Sequence, residues 1–275
     1  MLLAIDVGNT ETVIGLFSEG EETETGARRA PPAPPEPAGL THHWRLSTVD
    51  DRTADELALL VSELFTLDGL EVTSVVTGIA VTSSVPRLTA ALRQMAGRWF
   101  DVPCLVLEPG VRSGMPILYD NPKEVGPDRI ANAIGAYDLY GGPCIVVDLG
   151  TATTFDAISA AGEYLGGAIA PGIAISMDAL FHHAAALRRV ELVEPRSVIG
   201  KSTVESIQSG ALYGFAEQVD GMCRRIMDEL GRCAVVATGG LADVVAPLSA
   251  RIEHREPWLT LHGLRLVYDR HHKPD

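Results

Sequence analysis

Two short segments constrain this chain more than anything else in it. Ala4-Ile5-Asp6-Val7-Gly8 and Val146-Val147-Asp148-Leu149-Gly150 each run an apolar strand into a carboxylate, an apolar residue and a glycine. Asp6 and Asp148 stand 142 positions apart, and the pairs Gly8/Gly150 and Thr12/Thr154 share that offset in a chain of 275 residues. An offset of about half the chain points to a duplicated unit with a cleft between the copies.

The periodicity around these segments alternates between strand and helix. Residues 2–17 read as a strand bent by its glycine turn, 43–47 as its partner, and 53–65 as a helix with Leu57, Leu60, Val61 and Leu64 on one face. Then follow a strand over 74–81, a helix over 87–100, a strand over 104–107 and a helix over 129–140. The second half gives strands over 144–148 and 233–238 and a long helix over 202–230, opened by the capping-box pattern Ser202-Thr203-Val204-Glu205. The class is α/β, divided into residues 1–138 and 139–275. One segment differs. From Ser18 to Leu40 the chain is rich in Glu, Pro, Ala, Gly and Arg, with five prolines between Pro31 and Pro37. It has too little apolar surface to offset its ordering entropy and is expected to be a disordered insertion in an overgrown hairpin loop.

Composition removes several functions. With 22 basic and 36 acidic residues the formal charge is −14, which opposes non-specific nucleic-acid binding, since phosphate neutralisation needs clustered Lys and Arg. The most apolar stretch, 165–180, is interrupted by Gly166, Gly167, Pro171, Gly172 and Asp178, so no membrane span is expected. The N-terminal apolar run stops at Asp6 without a basic flank, unlike a secretory signal. Cys104, Cys144, Cys223 and Cys233 form no CxxC pair and read as reduced thiols of a cytoplasmic protein. The pairs His42-His43, His182-His183 and His271-His272 lack metal-site spacing. Gly200-Lys201-Ser202 fails as the end of a P-loop, because the required first glycine falls at Pro195.

Four places carry chemistry. In Asp6-Val7-Gly8-Asn9-Thr10 the glycine permits a tight turn that can aim the amides of Gly8, Asn9 and Thr10 at an anion, with Asp6 placed for Mg²⁺ beside a polyphosphate. Asp148-Leu149-Gly150-Thr151-Ala152-Thr153-Thr154 repeats the arrangement with a hydroxyl cluster. Each alone reads equally well as an ordinary hairpin turn, and their joint occurrence favours a pair of phosphate grips. In Gly126-Pro127-Asp128-Arg129, Asp128 stands where a helix N-cap is expected and can also serve as general base, with Arg129 as an anion fork. Ala237-Thr238-Gly239-Gly240 ends a strand in bare backbone against which a nucleoside can lie, or is a plain strand-to-helix turn.

Taken in order, Asp6 to Thr10, Gly126 to Arg129 and Asp148 to Ala152, with Gly200-Lys201-Ser202-Thr203 and Gln208-Ser209-Gly210, resemble the type III pantothenate kinases from Met1 to about Tyr268. The resemblance implies duplicated actin-like (ribonuclease H-like) domains with a nucleotide cleft between them. It also implies ATP-dependent phosphorylation of pantothenate to 4′-phosphopantothenate, the first step toward coenzyme A. By it Asp6, Val7, Gly8, Asn9, Thr10, Glu11, Thr12 and Val13 match the first ATP segment, and Thr151 matches a further ATP contact. Tyr119, Gly126, Pro127, Asp128, Arg129 and Thr203 match the pantothenate site, with Asp128 as the proton acceptor. Asp148 matches the ligand of a monovalent cation, potassium or ammonium, and a homodimer is implied. Two other readings stay open: a nucleotide-binding accessory protein without catalysis, opposed by the presence of Asp6, Asp128 and Asp148 together, and a kinase of the same superfamily for another small molecule.

Overall fold

The computed structural model describes residues 1–18, 37–184 and 187–272. The insertion expected over 18–40 therefore lies, for residues 19–36, outside the described residues.

Two compact units emerge, one of residues 1–18, 37–139 and 258–272 and the other of Tyr140–Pro257. The first begins with β1 (Leu2–Val7), β2 (Glu11–Phe17) and β3 (Leu40–Ser47), followed by α1 (Ala54–Leu67), the single turn α2 (Val72–Val75) and β4 (Gly78–Ser83). It continues through α3 (Pro86–Met95), β5 (Cys104–Val106) and α4 (Pro127–Tyr140). The second runs β6 (Cys144–Leu149), β7 (Ala152–Ile158), β8 (Tyr164–Pro171), α5 (Ile173–His183), α6 (Thr203–Leu230), β9 (Ala234–Thr238), the turn α7 (Ala242–Val245) and β10 (His254–Arg255). The last helix, α8 (Leu259–His272), returns to the first unit and packs on β1, β2 and β4.

The duplication is complete at the level of topology. The first sheet has the order β3-β2-β1-β4-β5 and the second, read from its β8 edge, β8-β7-β6-β9-β10. In each, a hairpin and a third antiparallel strand are followed by two parallel strands. The central strands β1 and β6 share one burial pattern, with every residue buried except the half-buried Asp6 or Asp148 in the fifth position. Strands buried on both faces read as continuous apolar runs. Leu3, Ile5 and Val7 pack with Leu57, Val61 and Phe65 of α1 and Leu88 and Leu92 of α3; Ile145, Val147 and Leu149 pack with Ile173 of α5 and Ala216 and Val219 of α6.

Local signals account for most boundaries. Thr53 caps α1 through a full capping box, its Oγ1 accepting from Glu56 N at 3.3 Å while Glu56 Oε2 accepts from Thr53 N at 2.8 Å. Pro86 opens α3 at the first helical position, where its missing N–H costs nothing. Two expectations change. The strand expected over 74–81 is shorter, since Ser74 turns back to donate from its N (3.1 Å) and Oγ (2.8 Å) to Glu71 O and closes α2, leaving β4 to begin at Gly78. The helix expected over 87–100 is α-helical only to Met95; Ala96–Phe100 widens into a π turn ending at Asp101 with φ 52°.

Candidate active site

The first hairpin turn is built from backbone. Gly8 N donates to Glu11 O at 3.0 Å, and a Cβ on Gly8 would lie 3.0 Å from that same oxygen. The Gly8 amide thus closes the turn and is not among the donors facing outward, contrary to the expectation from sequence. Asn9 and Thr10 at the tip are exposed, Val7 is buried and Val13 is half-buried. Glu11 pairs with Arg45 of β3. Thr12 is buried, and its hydroxyl meets that of Thr48 at 2.9 Å. Asp6 lies across from Val13 on β2 and beside Thr82 on β4. The Thr82 hydroxyl is fully buried and has no hydrogen-bond partner among the described residues.

The second turn is one residue shorter. Only Gly150 and Thr151 separate β6 from β7, against three residues, Gly8 to Thr10, in the first copy. Gly150 N donates to Ala152 O at 3.1 Å. The register makes Thr153 the counterpart of Thr12, facing Leu149 as Thr12 faces Val7, so the constant offset that paired Thr12 with Thr154 breaks inside the turn. Parallel pairing of β6 with β9 sets Asp148 beside Thr238 and brings in the Gly239-Gly240 turn. Gly239 has φ +91°, and a Cβ there would lie 2.5 Å from Asp148 Oδ1 and 2.7 Å from Leu149 N. Only glycine fits, so the carboxylate of Asp148 folds over bare backbone. Two motifs some 90 positions apart in sequence thereby form one place.

Asp128 is the second residue of α4, not its N-cap. Pro127 takes the first helical position, and Ile130 N reaches back to Gly126 O at 3.2 Å. Asp128 Oδ1 accepts from Arg129 N at 2.9 Å, and a Cβ on Gly126 would lie 2.4 Å from Oδ1, so a side chain at 126 would push the carboxylate aside. Arg129 is buried, and Tyr119 lies half-buried in the loop leading to α4. α4 is clamped to α8. A Cβ on Gly263 would lie 1.9 Å from Ala131 O and one on Gly135 2.9 Å from Leu259 O. Thr260 Oγ1 donates to Asn132 Oδ1 at 2.8 Å, and His262 Nε2 meets Asp138 Oδ2 at 2.8 Å.

Thr203 is the first residue of α6 and lines a groove of about 890 Å³ with Met177, Leu180, Lys201, Ile207 and Phe215. Ser202 Oγ caps the helix by accepting from Glu205 N at 3.2 Å. The reciprocal half of the expected box is displaced: Glu205 Oε2 accepts from Lys201 N at 3.0 Å, and its Oε1 from Arg196 Nε at 2.6 Å. The Arg196 bond, then the Lys201 amide, hold the Glu205 carboxyl below the usual range. Gln208 Nε2 and Ser209 Oγ tie Glu191 O (2.9 Å) and Val198 O (2.6 Å), which explains that motif as a staple for the segment before α6. Among the described residues no group of three or more His, Cys, Asp or Glu could hold a metal ion, so a cation at Asp6 or Asp148 must take its other ligands from hydroxyls, carbonyls, water or nucleotide.

Sequence reasoning missed Thr48. It follows β3, bonds twice to the first turn and once to Thr12 on β2, yet nothing local marks it, because its role depends on how β3 registers against β2.

A family model described as type III pantothenate kinase matches residues 2–225. Proteins of that description from Streptomyces griseus and Saccharopolyspora erythraea are 54% identical over 278 residues and 55% over 276, each match covering 98% of both chains. Among solved structures, the activator of the 2-hydroxyisocaproyl-CoA dehydratase from Clostridium difficile with bound ADPNP has a TM-score of 0.56 at 12% identity, over 100% of this chain and 98% of that one. An inorganic polyphosphate/ATP-glucomannokinase from Arthrobacter gives 0.50 at 14%, over 98% and 99%. At such identities these two speak for the fold, and they agree with duplicated actin-like domains.

Proposed function

The chain belongs to the type III pantothenate kinase family, and from that premise we propose how its residues divide the transfer of a phosphoryl group from ATP to pantothenate, the first step of coenzyme A biosynthesis. The carrying observation is that each copy ends its central strand in a half-buried aspartate before a glycine turn, while Asp128 stands apart in the first turn of a helix. Phosphoryl transfer needs positioning and charge neutralisation more than covalent chemistry.

In this reading the segment Asp6 to Val13 holds ATP phosphates, with the exposed residues Asn9 and Thr10 at the tip, and Thr151 adds a contact from the second turn. Asp128 accepts or orients the proton of the pantothenate hydroxyl for in-line transfer, with Gly126 leaving its carboxylate room. Tyr119, Pro127, Arg129 and Thr203 complete the pantothenate site, Arg129 taking the acid's carboxylate as a fork. Asp6, beside the buried Thr82 hydroxyl, suits a Mg²⁺ that arrives on ATP, and Asp148, folded over the Gly239 turn, suits a monovalent cation. Bound there, these cations would offset phosphate charge.

Ile175, Leu180, Val198, Ile199 and Val204 are exposed on the second unit, Ile199 to 78%, and this apolar surface supports the homodimer. No helix among the described residues is long and apolar enough to cross a membrane, and the four cysteines are free thiols, in keeping with a cytoplasmic setting.

The test is coupled ADP release with Mg-ATP, with and without pantothenate, in sodium and then potassium or ammonium buffer. ADP that needs both pantothenate and the larger cation supports the reading; folded protein giving none in any buffer sinks it. Asp128→Asn should lower turnover by about 10²–10⁴ with an unchanged melting temperature. Wild-type turnover in that variant would remove the base assignment.

A further inference from the structure

We propose that Thr48 is a positioning residue that fixes the first phosphate turn for ATP. Thr48 N donates to Thr10 O at 3.0 Å, and Thr48 Oγ1 donates to Gly8 O at 2.8 Å. The same Oγ1 lies 2.9 Å from Thr12 Oγ1. A hydroxyl has one proton, and that of Thr48 goes to Gly8 O, so Thr12 is the donor in the hydroxyl pair. The chain Thr12 to Thr48 to Gly8 O therefore has one direction, and it holds both ends of the tip residues Asn9 and Thr10. A turn held this way offers its donors to phosphate without reorganising when the nucleotide arrives.

The second copy supplies an internal comparison. Ser47 pairs with Glu11 and Pro171 with Ala152, which makes Gly172 the counterpart of Thr48. Gly172 N donates to Thr151 O at 3.2 Å and so repeats the backbone half of the latch. The side-chain half is missing, and no side chain fits, since a Cβ on Gly172 would lie 2.3 Å from Thr151 O and 2.5 Å from Gly150 O. Thr153, the counterpart of Thr12, accordingly has a buried hydroxyl with no partner among the described residues. A backbone latch is thus common to both hairpins, and the longer first turn adds the hydroxyl of Thr48.

The proposal rests on the reading that the first hairpin binds ATP, and the experiment separates the two. Thr48→Val, Thr48→Ala and Thr48→Ser would be compared with wild type for kcat, for KM of Mg-ATP and of pantothenate, for calorimetric binding of a non-hydrolysable ATP analogue, and for melting temperature. Thr48→Val and Thr48→Ala, either sufficing if the other does not fold, should raise KM for Mg-ATP and the analogue's Kd about tenfold, the effect of one lost hydrogen bond. KM for pantothenate should stay within about twofold, and Thr48→Ser should restore ATP binding. Thr41→Val is the control, because Thr41, on β3, makes a similar bond to Leu16 O at 3.0 Å but away from the turn. A melting shift with KM for Mg-ATP unchanged, or equal losses in Thr48→Ser and Thr48→Val, overturns the proposal. Wild-type protein that binds the analogue without pantothenate-dependent ADP release would defeat the kinase reading alone, and the latch would still be read from binding. No analogue binding by wild type would defeat both.

Discussion

Gly263→Ala should cripple the enzyme from a position on α8 that carries no chemical group. A Cβ at 263 would lie 1.9 Å from Ala131 O, 2.6 Å from Ala131 C and 3.0 Å from Ala131 Cα, and ordinary contact begins at 3.4 Å. All these atoms belong to the backbone of α4, so no side chain can swing away to make room. The helices must part locally by about 1.5 Å, the difference between 3.4 and 1.9. Ala131 lies one helical turn beyond Asp128, on the same face, so the shift passes to the carboxylate. The bonds Thr260–Asn132 and His262–Asp138 pin α4 further along and leave its N-terminal end to take the motion. A misplacement of about 1 Å can cost about 10²-fold in rate, and overpacking costs about 1–3 kcal/mol of stability. ADP-release kinetics should show kcat about 100-fold down in protein that still melts cooperatively. Gly221→Ala on α6 controls for the substitution itself, since nothing lies within 4 Å of its Cβ; it should stabilise by about 0.5–1 kcal/mol with turnover unchanged. A Gly263→Ala protein with a lowered melting temperature and kcat within about threefold of wild type would show that α8 does not set the position of Asp128.

Two further expectations concern stability. Thr153→Val removes a buried hydroxyl with no partner among the described residues and should raise the urea midpoint, whereas Thr12→Val removes the bond to Thr48 and should lower it, by the equivalent of about 1 kcal/mol of stability; shifts of the same sign would contradict this difference in hydrogen bonding. Burial pushes the Cys144 and Cys223 thiols up to about 12 and Cys104 up to about 11, so at pH 8.5 the first two should resist alkylation until the chain unfolds. Because the folded protein keeps these protons after the unfolded chain has lost them near pH 9, stability is full below pH 9 and falls as pH rises toward 12, by about 1.4 kcal/mol per pH unit for each thiol; Cys144→Ala should flatten that fall, and an unaltered slope would remove Cys144 from it.

The elements legible in the sequence are those whose signals are local. The Asp6 and Asp148 hairpins announce themselves because an all-buried strand must be uniformly apolar and its turn needs glycine. The start of α6 is equally plain, with Ser202 at the cap. What stayed hidden is pairing at a distance. Nothing near Asp148 indicates that Gly239 will lie under its carboxylate, because that depends on β9 choosing β6 as its parallel neighbour. The place of Asp128 was misread for a different reason. Asp before an apolar helix favours an N-cap, but Pro127, with φ already set for a helix, starts α4 two residues earlier than the expected 129. Ser74 and Val75 mislead through composition, since a short apolar run has the same appearance in a strand and in a buried helical turn.

The two copies share a strand order and differ where a ligand would be held, and one residue of turn length accounts for the difference. With three residues between β1 and β2, the first turn stands far enough out for a threonine after β3 to reach under it with a hydroxyl. With two, the second turn lies so close to the residue after β8 that only the backbone of Gly172 fits, and Thr153 there has no hydrogen-bond partner for its hydroxyl among the described residues. In the second copy the parallel pairing of β6 with β9 also sets Asp148 over Gly239, a glycine in the left-handed region, so that carboxylate lies against bare backbone. A fold duplicated from one plan therefore need not use its halves alike.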